Sequence, residues 1–158
     1  MTRQDYIKLI APVAQKVCKG TGLFASLMIA QAIVESHNGA KNTLSLLAAK
    51  YHNHFGIKTS KGWTGAVVNL KTREVFSNKD VYIRDGFRAY PTLETGFADR
   101  NRFLTVNQRY TRAGVFAAKT PEQQAIALQA AGYATDPNYA KVLGQVINGS
   151  AKLKQYDV

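Results

Sequence analysis

Apolar residues recur at helical spacing through the first part of the chain, with Tyr6, Leu9, Ile10, Val13 and Val17 on one face. Thr2, followed three residues later by Asp5, resembles a capping box with Asp in place of Glu. Gly20 and Gly22 stop the run. This predicts an amphipathic helix, not a signal peptide, because Asp5 comes early and charge alternates with apolar residues. Residues 23–37 have almost no polar face: Phe24, Leu27, Met28, Ile29, Ala30, Ile33 and Val34 surround the axis. Such a pattern predicts a buried central helix, ended by Asn38-Gly39. A short helix is predicted near 44–50.

The texture changes from Asn53 to Tyr90. Glycines 56, 62, 65 and 86 punctuate stretches rich in β-branched and aromatic residues at 64–70, 74–76, 81–83 and 87–90. These predict a small antiparallel sheet or hairpin lobe over about 53–90. Helical pattern resumes over 92–104 and 109–118, restarts at Thr120-Pro121-Glu122, and closes with a helix after Asp136-Pro137. The expected fold class is α+β, mainly α, in one domain spanning 1–158. No repeat or low-complexity tract interrupts it.

Charge adds what periodicity cannot. The 158 residues carry 21 Lys+Arg against 10 Asp+Glu, a net +11. That implies a polyanionic partner: nucleic acid, an anionic membrane surface or an anionic cell wall. The bases are dispersed, with no stripe or nucleic-acid motif, so no nucleic acid is expected. No apolar run reaches the ~18–20 residues of a membrane span. A single cysteine, Cys18, excludes an internal disulfide framework and a multi-Cys zinc site. His37, His52 and His54 match no zinc spacing, and neither metal nor cofactor is expected. Residues 1–79 hold eleven bases but only three acids, Asp5, Glu35 and Glu74.

Glu35 therefore needs a reason. It sits near the C-terminus of an apolar helix, where the dipole disfavours negative charge. Partial burial and that dipole would both push its pKa upward, as a general acid requires. The plain alternative is a Glu that snorkels to the surface or pairs with an Arg. Glu74, within Lys71-Thr72-Arg73-Glu74-Val75-Phe76, reads alone as a solvated strand residue paired with Arg73 or Lys71. Together the two carboxyls could flank a scissile glycosidic bond across a cleft. Trp63, Tyr82, Phe87, Tyr90 and Tyr133 lie among Gly-rich turns, where sugar rings stack on aromatic faces. Phe87 and Tyr82 are expected in the core, and Trp63, between Gly62 and Gly65, is expected to be exposed.

Four segments in order carry a more specific likeness: Ala30-Gln31-Ala32-Ile33-Val34-Glu35-Ser36, Asn53-His54-Phe55-Gly56-Ile57-Lys58, Phe87-Arg88-Ala89-Tyr90 and Gly132-Tyr133-Ala134-Thr135-Asp136-Pro137. Together they resemble the glucosaminidases of glycoside hydrolase family 73, a group of peptidoglycan hydrolases. The resemblance implies a lysozyme-like fold with a cleft between a helical lobe and a β-hairpin lobe. It implies cleavage of the β-1,4 bond between N-acetylglucosamine and N-acetylmuramic acid. Glu35 matches the family's general acid, Glu74 its acidic hairpin residue, and Tyr133 its active-site tyrosine. Asn53, Phe55 and Gly56 match the stretch that shapes the cleft floor; Trp63 and Tyr90 are further candidates for contact with sugar. His54 departs from the family, which usually has an apolar residue there, often Leu.

Two other functions fit the same residues. A lytic transglycosylase on this fold would use Glu35 alone, and a non-catalytic basic module would bind nucleic acid or wall polymer. The expected partner is the peptidoglycan glycan strand, met by a monomer at the bacterial cell wall or periplasm. With no signal peptide visible, the expected route is phage-type or apparatus-mediated release, or a leader missing from the sequence.

Overall fold

The apolar run that begins at Leu23 becomes the axis of the molecule. The structure, a computed structural model, describes residues 1–158 apart from the side chain of Glu74. Helix α1 (Arg3–Cys18) starts where Thr2 Oγ1 accepts from Asp5 N–H, and buries Tyr6, Ile7, Ile10, Ala11 and Ala14. Helix α2 (Ala25–Ser36) has ten of its twelve residues buried. It packs against α1, and further against α6 (Pro121–Ala130), α7 (Tyr139–Ile147) and a closing 3-10 turn (Leu153–Tyr156). An apolar helix needs neighbours on every side, and the later helices supply them.

The N-terminus of α2 has no cap of its own, since Phe24 stands at the cap position. Distant residues satisfy its amides. Gln124 Oε1 accepts from Phe24 N–H, and the Asp157 carboxylate accepts from Ser26 N–H and Ser26 Oγ. The carboxylate also meets the positive end of the helix dipole.

Two short strands, β1 (His37–Asn38) and β2 (Thr43–Leu44), pair antiparallel directly after α2. Helix α3 (Leu46–Tyr51) follows. Strands β3 (Val67–Phe76) and β4 (Lys79–Arg88) form one ten-residue antiparallel hairpin. The sequence pattern divides this hairpin into shorter pieces, for two reasons. Its turn is Ser77-Asn78, both left-handed (φ 50° and 62°), which serves the two-residue turn normally made by Asn-Gly. Gly86 lies within β4, where a Cβ would stand 2.9 Å from Thr59 Cγ2, so this glycine admits the 57–60 segment and does not end a strand. The register also sorts the aromatics. Phe87 is buried as expected, whereas Tyr82, five positions away and on the opposite face, is 61% exposed.

Helices α4 (Leu93–Val106) and α5 (Gln108–Ala113) complete the helical lobe. α5 is shorter than its pattern predicts, because the chain turns out of it through Gly114. Among the described residues no helix is long and apolar enough to cross a membrane.

Candidate active site

Glu35 is the penultimate residue of α2, held at the edge of a cleft of about 610 Å³ between the helices and the β3–β4 hairpin. Phe55, Gly56, Thr72, Phe87, Phe103, Tyr133 and Thr135 also line this cleft. The Glu35 side chain is exposed, so the expected partial burial is corrected. The helix ends at the cleft mouth, so its C-terminal dipole acts on this carboxyl.

The floor is tied by one side chain. Asn53 is 1% exposed, and its Nδ2 donates to the carbonyls of Ile57 (2.9 Å) and Arg88 (2.8 Å). Its Oδ1 accepts from the Phe55 and Ile57 amides. These bonds fasten the 53–57 loop to β4. Asn53 therefore shapes the cleft from beneath and does not line it. Phe55 packs edge-on against Phe97, with centroids 4.8 Å apart. Gly56 turns in the left-handed region (φ 67°), and a Cβ there would come within 3.5 Å of Glu35 Oε2. A side chain at 56 would be strained by this backbone conformation, with its Cβ in ordinary contact with the carboxylate.

His54 is where the sequence leaves the family pattern, and its packing explains how a histidine is accommodated. It is 2% exposed, and its ring stacks on Tyr6 and meets Phe97 edge-on. Its Nδ1 shares a 2.6 Å hydrogen bond with the Tyr6 hydroxyl, and its carbonyl accepts from Ser36 Oγ, next to Glu35. Burial, with a smaller contribution from nearby His52, pushes the His54 pKa down to about 4. The imidazole is neutral at neutral pH. Between pH 6.5 and 4 the unfolded chain takes up a proton that the native state refuses. Stability is therefore full above 6.5 and falls as pH drops toward 4, by about 3 kcal/mol in all. Urea titrations of wild type and His54→Leu at pH 7 and pH 4 check this. The variant should lose this part of the pH dependence; equal slopes would contradict it.

Tyr133 lines the same cleft as Glu35. Its hydroxyl donates to the Phe55 carbonyl at 3.3 Å, and its ring stacks on Tyr139 at 5.9 Å. Burial raises its pKa far out of the working range, with Arg100 opposing and Glu35 adding to the rise. It is a neutral donor. Behind it, Gln31 Nε2 donates to the Tyr139 hydroxyl, and Gln31 Oε1 accepts from both Nε and Nη2 of Arg100. Arg100 is fully buried, with Nη1 on Asn101 Oδ1.

The hairpin closes the other side. The Val75 amide donates to Thr135 Oγ1 at 3.1 Å, so β3 reaches across the cleft to the segment after Tyr133. Glu74 lies outside the described residues. Trp63 and Tyr90 stand together elsewhere. Trp63 is half-buried, not exposed; its indole N–H donates to the Ala66 carbonyl, and its face lies 4.5 Å from the Arg88 guanidinium. Tyr90 is 7% exposed and donates to Asp99. They border a separate pocket with Pro91 and Thr95.

The structure thus brings Glu35, Phe55, Gly56 and Tyr133 together, supports them through Asn53, and leaves Trp63 and Tyr90 outside the cleft. Sequence reasoning missed Thr72, Phe103 and Thr135 as lining residues. Thr135 lay within a quoted motif, whereas Phe103 carries no local signal.

The glucosaminidase family model (mannosyl-glycoprotein endo-beta-N-acetylglucosaminidase) matches residues 11–152. The peptidoglycan hydrolase FlgJ of Pseudomonas aeruginosa is 37% identical over 142 residues, 90% of this chain and 35% of that protein. FlgJ of Salmonella typhimurium is 35% identical over 91% of this chain and 45% of that protein. The chain thus spans less than half the length of these relatives. Among solved structures, a peptidoglycan hydrolase mutant from Sphingomonas sp. A1 covers 97% of each chain at 34% identity, with a TM-score of 0.79. The glycoside hydrolase domain of Salmonella typhimurium FlgJ gives 31% identity and a TM-score of 0.69, over 98% of this chain and 92% of that one. Sequence and shape agree over nearly the whole length on the lysozyme-like arrangement seen here, and the chain belongs to the glucosaminidase family.

Proposed function

We propose that residues 1–158 act as one glucosaminidase domain that hydrolyses peptidoglycan glycan strands at the bacterial cell wall. The bond cleaved is the β-1,4 link from N-acetylglucosamine to N-acetylmuramic acid. The observation that carries this reading is a carboxylate at the end of the core helix that shares an aromatic-lined cleft with a tyrosine.

Glu35 acts as general acid. Its carboxyl passes a proton to the glycosidic oxygen as the C1–O bond breaks. A bound glycan covers the exposed carboxyl and sets it against the glycosidic oxygen. Tyr133, a neutral donor in this wall, stands beside the anomeric centre. Water adds at C1 and gives up its proton to a second base, the role assigned to Glu74. The +11 charge draws the enzyme to an anionic wall.

Mass spectrometry of purified peptidoglycan after digestion tests the reading. A free reducing-end N-acetylglucosamine is expected. An anhydro sugar would mean a transglycosylase. A reducing-end N-acetylmuramic acid would mean the specificity named for one relative, a probable N-acetylmuramidase of Lactococcus lactis 36% identical over 92% of this chain. Glu74→Gln should lower kcat about 10²-fold or more, within the range for a general base. A rate near wild type would remove Glu74 from the mechanism.

A further inference from the structure

Glu35 lies on the wall between two cavities of about 610 Å³ each. One is the aromatic-floored cleft. The other opens on the far side of Glu35 and is lined by the β1–β2 turn: His37, Asn38, Lys41, Thr43 and Ser45. We infer that this second cavity receives the anionic, peptide-bearing sugar of the glycan, with Lys41 as its charge partner. The inference rests on the glycosidase reading above.

Cleavage at Glu35 requires the two joined sugars to lie on opposite sides of it. Phe55, Phe87, Phe103 and Tyr133 give the first cavity the aromatic faces that suit an unsubstituted ring, and the hairpin confines it. N-acetylmuramic acid carries a lactyl ether extended by a peptide with free carboxylates. That substituent needs room and positive charge, and the second cavity is the more open of the two.

The charge on this side is one-signed. The sequence holds no Asp or Glu from Ser36 to Arg73. Lys41 is exposed, and a Cβ on neighbouring Gly39 would meet Arg3 Nη2 at 3.1 Å, so a second cation flanks the turn. The turn is pinned in place. Asn38 Oδ1 accepts from the amides of Ala40 and Lys41, and the Ser45 amide donates to the Ser36 carbonyl at 2.8 Å, beside Glu35. His37, 8% exposed, lines the same cavity, and its Nε2 is tied to the Met1 carbonyl at 3.0 Å.

The test compares kcat/KM on a peptide-bearing glycan fragment with kcat/KM on a neutral N-acetylglucosamine oligomer of equal length. Lys41→Gln should lower the ratio about threefold to fivefold, the effect of one solvent-facing ion pair, and Lys41→Glu should lower it further. Raised salt should erode the wild-type preference. Lys50→Gln, an exposed lysine on α3 that lines neither cavity, controls for general charge. An unchanged ratio in both Lys41 variants while wild type turns over its substrates would overturn the inference alone. So would an equal shift in Lys50→Gln. No turnover of either substrate by wild type would sink the glycosidase reading and this inference with it.

Discussion

Glu35→Gln should lower kcat on purified peptidoglycan by about 10³-fold or more while leaving the fold and thermal midpoint close to wild type. The size follows from the role. A positioned general acid contributes about 10²–10⁴-fold, and among the described residues Glu35 is the carboxyl that lines the cleft. The neutral fold effect follows from the location. Glu35 is exposed at the end of α2, and the helix core is made by the buried residues before it. Gln keeps the shape and loses only the proton donor. A variant with low activity and a lowered midpoint would instead report a structural role. Initial rates and a thermal melt on the same preparation separate the two.

The second large effect lies one turn earlier on the same helix. Gln31 Oε1 accepts two of the hydrogen bonds from Arg100, at 2.9 and 2.6 Å, in a site with no solvent exposure. Burial disfavours the guanidinium charge, yet arginine does not give up its proton in a protein. Gln31→Leu leaves that charge with fewer acceptors and also removes the donor to Tyr139. The expected cost is about 3–5 kcal/mol, a large share of the ~5–15 kcal/mol typical of a domain. Urea unfolding measures it. Adding Arg100→Met to Gln31→Leu should recover much of the loss, because removing both partners costs less than orphaning one. Additive losses would contradict the pairing.

Gln31, Tyr139 and Tyr133 form a continuous path from the buried arginine to the cleft wall. This network explains why a polar residue interrupts the most apolar helix of the chain. In the sequence Gln31 looks like a blemish in a buried run; in the structure its amide oxygen holds the buried Arg100.

Legibility followed range. Helices α1, α2, α4 and α6 were readable because their signals are local: periodicity, a Thr cap, a Pro at the first turn. The hairpin was readable as β structure but not as one hairpin, since Ser77-Asn78 is a weak turn signal and Gly86 serves a contact with Thr59 across the lobe. Glu35 stood out as an acid on an apolar helix in an acid-poor half of the chain. Its exposure was not readable, because that depends on where α2 ends relative to the cleft. The place of Trp63 and Tyr90 was unreadable for a related reason. Aromatics beside glycines look like sugar platforms, but Arg88 reaches over Trp63 and Asp99 takes the Tyr90 hydroxyl, which ties both into a separate wall. His54 departed from the family pattern without harm, because Tyr6 and Phe97 provide a stack for a neutral ring.

The central claim is that Glu35 drives hydrolysis on the reducing side of N-acetylglucosamine. The most direct measurement is a paired digest of purified peptidoglycan in ¹⁸O-water by wild type and Glu35→Gln, with mass spectrometry of the new reducing ends. Wild type should give one ¹⁸O atom on a terminal N-acetylglucosamine, and the variant almost none of that product. Reducing-end N-acetylmuramic acid, unlabelled anhydro ends, or equal yields from both proteins would contradict it.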